Sequence, residues 1–551
     1  MKTRYLWQDI HDELGVSQPD FDDRPLGAFL EEHAENIPDN IALRFFTRTF
    51  SYRELNTEVN RLANVMAAFG IGKGDVVGIH MPNVPQYLIT LLAVSKLGAA
   101  ASGISLMAVP SELSYQLEDS NISVLVTLDQ LANNVLAKIE QMPACLKHTL
   151  IASASDYLIP QAPIPPQLEG VNCVAYLDAV NAANDRFNQH ATHYNDTYLM
   201  QYTGGTTGRP KGAMLSIRTV NHVHSSGNVY APMVVGQEIA LSPFPMFHVA
   251  GVSFHTACIR YGAQCVLIPD PRDLDHLLEQ LLVAPITRFA AVPTLFQMLI
   301  SHKDIAKVDF SQLRTAVTGA APLAGSEREK IEEVIGRDKL TDNFGMTETG
   351  PTYISNPPGR IKAAALGVPL PGADVRIVDV ETGTKAMPNG EPGEIITAGP
   401  HVMKGYLHLP EESAKAMREF DGKVFMYTGD VGYFDDEGYL YISDRAKDML
   451  IVGGFKVFSV EVEDKMSKMD IIERSAVIGT TDEKRPGNDV VNLYIELNTT
   501  GKTLGHAQVK EDVILFCREN MAAYKVPKLV HIIDQIPLTA VGKIDKKALR
   551  G

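Results

Sequence analysis

The sequence predicts an α/β protein: a large region of α/β sheets, then a small antiparallel β-barrel, then a compact α+β domain. Strand-like runs alternate with amphipathic helical runs from about residue 40 to residue 344, the pattern of parallel sheet with crossover helices. From Gly367 short strands stand between turn residues. At 551 residues the chain is several times a typical domain, so at least two domains are expected.

Residues 40–46 alternate as a strand. Ser51-Tyr52-Arg53-Glu54 is a capping-box sequence, and Leu55, Val59, Leu62, Val65, Met66 and Phe69 follow at helical spacing until Gly70 and Gly72. The spacing then predicts a strand at 76–81, a helix at 85–97, a strand at 99–104, a helix at 111–119 and a strand at 124–126. Pro160, Pro163, Pro165 and Pro166 mark an extended connection over 158–170. Further strands are expected at 239–242, 287–292, 313–318 and 340–344, with Pro293 opening a helix. The barrel strands include 375–378 and 394–398, with a hairpin over 431–443 turning at Asp435-Asp436-Glu437-Gly438. Strands at 475–479 and 490–497 with a helix at 507–520 make up the last domain.

Composition excludes several classes. Hydrophobic residues at 45% and charged ones at 21% are those of a globular protein. A formal charge of −16 argues against nucleic acid as the main partner. The cysteines Cys145, Cys173, Cys258, Cys265 and Cys517 are widely spaced, which suits a reducing compartment and offers no metal framework. The start at Met1 runs into Trp7, Asp9 and Asp12, and no signal peptide is evident there. The apolar run over 88–109 is interrupted by Lys96, Gly98 and Gly103, so it reads as a buried helix and a strand and not as a membrane span.

The densest chemistry lies at Tyr202-Thr203-Gly204-Gly205-Thr206-Thr207-Gly208-Arg209-Pro210-Lys211-Gly212. Successive backbone N–H groups of such a loop form an anion-binding concavity, to which threonine hydroxyls add donors. Lys211 and Arg209 supply charge. Pro210 before Lys211 and Gly212 after it depart from the common P-loop pattern, and an ordinary glycine-rich surface loop is the competing reading. The turns Gly319-Ala320-Ala321-Pro322 and Gly345-Met346-Thr347-Glu348 both follow predicted parallel strands, where ligands sit in open α/β sheets. Both therefore point to one crevice.

Taken together and in order, these stretches resemble the acyl-adenylate-forming enzymes, a family that includes acyl-CoA synthetases. The resemblance rests on residues 202–214, 319–322, Asn343 to Glu348, Tyr427-Thr428-Gly429-Asp430, Asp444-Arg445-Ala446-Lys447-Asp448, Pro537-Leu538-Thr539 and Gly542-Lys543. Within the family the Thr-Gly-Gly-Thr-Thr-Gly loop looks most like that of bacterial long-chain fatty-acid–CoA ligases. The resemblance implies an N-terminal adenylation domain at 1–444 and a small mobile domain at 445–551. It implies ATP, Mg²⁺ and coenzyme A as cofactors and small-molecule partners, together with a carboxylic acid, in the cytoplasm. Peripheral membrane contact and a homodimer are left open.

By the same resemblance, Thr203, Gly204, Gly205, Thr206, Thr207, Gly208 and Lys211 would hold the β- and γ-phosphates. Thr347 would bond phosphate, and Glu348 would hold Mg²⁺, a cation suited to carboxylate and phosphate oxygens. The competing reading for Thr347 and Glu348 is a helix cap. Gly319, Ala320 and Ala321 would wall the adenine, with Phe344 stacking on it, Gly345 beside it and Asn343 at its edge. Asp430 and Arg445 would meet the ribose. Lys543 would bridge the carboxylate and α-phosphate during adenylation. Lys447 would be the hinge that exchanges Lys543 for the loop Gly453-Gly454-Phe455-Lys456, which guides coenzyme A.

His248 resembles the residue that closes the acyl pocket; a satisfied core histidine is its competing reading. The small apolar run Val249-Ala250-Gly251-Val252 leaves room for a chain, and Val292, Thr318, Gly319 and Gly345 could line the same tunnel. No arginine or aspartate is apparent here to capture a charged substrate. The expected reaction is therefore ligation of a medium- or long-chain fatty acid to coenzyme A, in fatty-acid and lipid metabolism. An aryl or other acid, or an acyl-carrier thiol as acceptor, is the alternative. A catalytically silent nucleotide- or lipid-binding protein is a third reading, disfavoured by intact Lys211, Glu348, Asp430 and Lys543.

Overall fold

Two large, mostly parallel sheets form the bulk of the computed structural model. It describes residues 5–16, 18–19, 21–159, 163–203, 209–319, 323, 325–362, 364–445, 448–452, 455–481, 488–539 and 544–550; for residues 326, 445, 455 and 456 only the backbone is described. The first sheet has seven strands, in the order Asn172–Ala175, His148–Ala152, Val124–Leu128, Val76–His80, Ala100–Gly103, Thr197–Thr203 and Lys211–Ser216. All neighbours are parallel except the last pair, a hairpin. Val76–His80 and Val124–Leu128 are buried along their whole length, as strands covered on both faces must be.

The second sheet has nine strands. Its parallel centre runs Leu340–Phe344, Thr315–Gly319, Arg288–Ala291, Ile239–Ser242, Gln264–Leu267, Ile41–Phe45. Arg48–Ser51 closes one edge antiparallel, and Ile354–Ser355 with Val368–Pro369 the other. The barrel expected beyond Gly367 is a five-stranded antiparallel sheet, Asp374–Val378, Gly393–Ala398, Lys423–Phe434 and Met417–Phe420, with Leu440–Arg445 also on the long strand. A third core gathers around Ile472–Thr481, Asp489–Leu497, Leu529–Ile533 and the helix His506–Asn520. This is the C-terminal α+β unit that the sequence predicts.

Local signals explain the helices that link the sheets. Ser51 Oγ accepts from Glu54 N at 3.1 Å and Glu54 Oε2 accepts from Ser51 N at 2.8 Å, so both arms of the capping box form. The helix Tyr52–Ala68 then buries Leu55, Val59, Leu62 and Met66. The helix Pro85–Leu97 is buried at every position and ends on Gly98 at φ 68°, a left-handed cap that glycine adopts freely. Its one cation, Lys96, is fully buried. The Nζ donates to Glu31 at 2.6 Å, Asn60 at 2.7 Å and Asn56 at 2.8 Å, filling all three donor positions. Burial lowers its pKa, and Glu31 opposes that shift. The interruption of the apolar run is thus a satisfied core ammonium. No helix among the described residues is long and apolar enough to cross a membrane.

Five buried histidines carry a pH signature. Burial depresses His80, His222 and His255 to about 4, and His224 and His401 to about 3, from 6.5. Below pH 6.5 the unfolded chain therefore binds protons that the folded chain refuses. Their contribution is full above that pH and is lost as pH falls through the window toward about 4, at up to about 1.4 kcal/mol per pH unit per histidine. Burial raises Asp342 to about 6 and also raises Asp156, Glu332, Glu394 and Glu463, which works in the opposite sense. Carboxylates held low against their burial by hydrogen bonds and ion pairs, among them Asp22, Asp196, Glu238, Asp374 and Asp435, add to the histidines. The urea midpoint is expected to be clearly lower at about pH 5 than at about pH 7.5; equal midpoints would contradict this.

Candidate functional site

Both large sheets present the ends of their strands to one cavity of about 2450 Å³, larger than a typical single-ligand pocket of roughly 300–1,000 Å³. From the first sheet, Thr203 and Lys211 line it. They face each other across the hairpin, so the glycine-threonine loop leaves and re-enters the sheet at one point. Both roots of the loop are tied to the helix Pro110–Asp119. Tyr202 Oη donates to Asp119 at 2.5 Å, and Tyr115 Oη donates to the Pro210 carbonyl at 3.1 Å. The Arg209 guanidinium lies 5.3 Å from the Tyr115 ring centre, a cation–π contact.

From the second sheet, Gly319, Asn343, Phe344, Gly345, Thr347 and Glu348 line the same cavity. Gly319 and Asn343 are register partners at the ends of adjacent parallel strands. A Cβ on Gly319 would stand 2.7 Å from the Asn343 carbonyl oxygen, and one on Gly345 would stand 1.9 Å from that of Pro351. Only glycine permits these approaches. Asn343 Oδ1 accepts from Ser355 Oγ at 2.8 Å, which turns its amide nitrogen toward other partners. Phe344 meets Tyr353 edge to face at 5.8 Å.

The cap reading of Thr347 and Glu348 falls on a neighbour. Thr349 Oγ1 accepts from Met346 N at 2.9 Å, so the turn is capped from within and the two preceding side chains remain for the cavity. Glu348 is buried, with Oε1 accepting from Tyr406 Oη at 2.7 Å. Its Oε2 takes no hydrogen bond among the described residues. Tyr406 also lies beneath Lys211, whose Nζ is 5.1 Å from the ring centre and bonded to Glu412 at 2.5 Å. Burial and the Glu348 charge push the Tyr406 phenol far up, so it stays a donor. Asp430, buried in Lys423–Phe434, lines the cavity from the antiparallel sheet and pairs in register with Arg445.

His248 borders the cavity and caps the helix Val249–Arg260, its Nδ1 accepting from Ala250 N at 3.3 Å. It is half-buried, so neither a pure core role nor a bare surface describes it. Gly204, Gly205, Thr206, Thr207, Gly208, Ala320, Ala321, Lys447, Gly453, Gly454 and Lys543 lie outside the described residues, as do the side chains of Arg445, Phe455 and Lys456. Sequence reasoning missed Tyr406, Glu412, Tyr115 and Tyr353. All but Tyr353, which follows Glu348 closely, lie well away in sequence from the chemistry-bearing loops, and none has a spacing that would single it out.

The sequence profile of the AMP-binding enzyme family matches residues 30–407, and that of the AMP-binding enzyme C-terminal domain matches residues 461–543. The chain belongs to the AMP-binding enzyme family. It is 32% identical to a long-chain-fatty-acid–CoA ligase of Bacillus subtilis strain 168, over 96% of this chain and 94% of that one. It is 30% identical to a feruloyl-CoA synthase of an Amycolatopsis species, over 95% and 98%. The crystal structure of the anthranilate CoA ligase AuaEII in complex with anthranoyl-AMP superposes with a TM-score of 0.83 at 25% identity, covering 98% of each chain. In this AMP-binding enzyme, then, the residues expected at the nucleotide that are described converge on one cavity.

The free oxygen of Glu348 tests the magnesium expectation. Among the described residues no group of three His, Cys, Asp or Glu could hold a metal ion. One buried carboxylate with an open oxygen suits a cation that takes most of its ligands from phosphate and water. Glu412 competes for Lys211 with any anion in the loop, and the contact with Lys211 and Lys415 holds its carboxyl down to about 2. Glu412→Gln is expected to lower the KM for ATP a few-fold with little change in kcat. A raised KM would assign Glu412 to positioning Lys211 instead.

Proposed function

We propose that this AMP-forming acid–CoA ligase activates a medium- or long-chain fatty acid in the cytoplasm. The carboxylate attacks the α-phosphate of ATP, giving acyl-AMP and pyrophosphate, and the thiol of coenzyme A then displaces AMP. The observation that carries the substrate reading is the part of the cavity beside the helix Val249–Arg260, read as the acyl tunnel. Val249, Ala250, Ser253, Phe254, Ala257 and Tyr261 all line it, one face of the helix from end to end. At 1.5 Å per residue that face is about 18 Å long, enough to flank a medium-length extended alkyl chain along its whole course. Ala290 and Val317 face it from the second sheet. Each methylene buried there contributes about 0.8 kcal/mol. The similarity to fatty-acid ligases favours the same substrate class.

In this reading the site must bring two anions together, so its work is charge neutralisation and alignment. Lys211 and the loop hold the outer phosphates, and Thr347 adds a hydroxyl. Glu348, oriented by Tyr406, would hold magnesium with phosphate oxygens; when bound, that ion supplies charge neutralisation. Asn343 and Phe344 take the adenine, and Asp430 the ribose. His248 stands where the tunnel meets the nucleotide. Lys543 lies in the segment 540–543, whose flanks Leu538 and Ile544 pair in an antiparallel bridge on the cavity wall. In this reading Lys543 stabilises the negative charge shared by the attacking and α-phosphate oxygens. The division at 1–444 and 445–551, with Lys447 as hinge, lets the same cavity serve both half-reactions.

An aryl acid is the second reading. Phe247 and Phe254 at the tunnel suit a flat ring, and a feruloyl-CoA synthase is among the relatives. CoA-dependent AMP release with a panel of alkyl and aryl acids separates the two: best turnover on an aryl acid would overturn the fatty-acid reading. Lys543→Ala is expected to lower acyl-AMP formation by roughly 10²–10³-fold, while supplied acyl-AMP still reacts with coenzyme A. Normal pyrophosphate release by that variant would remove Lys543 from the chemistry. Glu348→Gln is expected to slow adenylation by a similar factor and to raise the magnesium concentration needed for half-maximal rate. An unchanged magnesium dependence would count against the assignment.

A further inference from the structure

The far end of the tunnel is not apolar. Arg288 opens the strand Arg288–Ala291 and lines the cavity with its guanidinium side chain only 7% exposed. Nε donates to Glu238 at 3.2 Å and Nη2 to the Pro232 carbonyl at 3.1 Å. Nη1 makes no hydrogen bond among the described residues. Glu238, fully buried, also accepts from Thr287 Oγ1 at 2.6 Å and from Arg314 Nη1 at 2.7 Å. Inside, one carboxylate therefore balances one guanidinium, while Arg314, half exposed, reaches Glu238 from the surface. Tyr261, at the end of the helix that flanks the tunnel, lines it as well, and its hydroxyl has no hydrogen bond among the described residues.

Nη1 and the Tyr261 hydroxyl are thus open to the cavity, and a purely alkyl chain filling it would strip them of water without giving them a partner, which costs free energy. An acceptor arriving with the substrate would remove that cost. We propose that the tunnel ends in a recognition site for an oxygen acceptor, so that the preferred acids carry a carboxylate or hydroxyl at the end remote from the one activated. The inference rests on the acyl-activation reading above and narrows its substrate class. The distance sets the length. Thr315 lines the far end beside its register partner Arg288, and Gly319 the adenylate end of the same strand. Four residues at about 3.3 Å each span roughly 13 Å. An extended chain advances about 1.2 Å per bond, which gives an acid of roughly ten carbons.

The test compares kcat/KM for decanoic, 10-hydroxydecanoic and decanedioic acids by CoA-dependent AMP release, in the wild type, Arg288→Met and Arg288→Lys. The wild type is expected to prefer an ω-oxygenated acid over decanoic acid by at least about tenfold, since a site built to bond a polar group rejects the analogue that lacks it. Arg288→Met is expected to reverse that ratio while the KM for ATP stays near wild type; because it removes one partner of the buried Glu238 pair, a lower melting temperature is expected, and the ratio between acids, not the absolute rate, is the readout. Arg288→Lys should keep the preference for the dicarboxylate. A stronger response to decanedioic than to 10-hydroxydecanoic acid identifies the acceptor as an anion, and the reverse identifies it as a hydroxyl. Equal or better wild-type turnover of decanoic acid overturns the inference and leaves fatty-acid activation standing; this comparison needs no variant to fold. If no alkyl acid of any length supports AMP release, the fatty-acid reading and the inference both fall.

Discussion

One tyrosine ring keeps a cation and a carboxylate apart at the centre of the cavity. Tyr406 gives its hydroxyl to Glu348 and its face to Lys211. Without it, opposite charges at the two sheet ends would be free to pair directly, and each would be spent on the other. The phenol satisfies one oxygen of Glu348 and leaves the second open. The ring supports the ammonium without neutralising it, and Glu412 at the cavity edge balances that charge. Two ligand-facing charges of opposite sign can thus coexist around one ring. A site for a polyanion with a bound cation needs this.

The rest of the fold serves that separation. Tyr406 comes from the connection between the antiparallel strands Gly393–Ala398 and Lys423–Phe434, Lys211 from the hairpin of the first sheet, and Glu348 from the loop after a strand of the second. Backbone bonds lock these three pieces: Met214 N donates to the Gly405 carbonyl, Leu407 N to Gly212, and Met403 N to Glu348. The small antiparallel sheet is therefore no appendage. It supplies the brace between the two parallel sheets, and Asp430 on its long strand reaches the cavity from the same side.

Periodicity and caps made most elements legible. The Ser51–Glu54 box, the helix from Pro85 and the parallel strands at 76, 124, 288 and 315 all stand close to their expected bounds. The glycine-threonine loop and the turns after two parallel strands were legible because a ligand cradle has to be written in local sequence. Tyr406, Glu412 and Tyr353 were not, since a side chain that acts across three elements has no local signature. Arg288 shows the limit most plainly. Alternation along the strand separates it from Phe289, which packs on Phe296 at 5.0 Å, but alternation cannot say that the other face borders a tunnel. The acyl stretch at 247–252 looked free of charged residues because the charge enters from a strand some forty residues later. Thr349, not Thr347, caps the turn for a similar reason: three adjacent residues offer the same chemistry, and only geometry chooses.

The end of Leu440–Arg445 bears on how the C-terminal unit can move. Asp444 accepts from both the backbone N–H and the hydroxyl of Ser459, the latter at 2.9 Å. Ser459 Oγ accepts in turn from Lys546 Nζ at 2.7 Å, and Lys546 pairs with Glu463 at the same distance. Arg550 adds an ion pair to Asp448. On the proposed hinge at Lys447, Ser459, Glu463 and Lys546 would turn together, since they bond to one another, and Asp444 would stay behind. The two bonds from Ser459 to Asp444 would have to break in such a rotation. They join a carboxylate to neutral donors, each worth about 1.5–3 kcal/mol, and a carboxylate released into a water-filled cavity recovers much of that. On that proposal these bonds would act as a latch, strong enough to define a state and weak enough to open within a catalytic cycle.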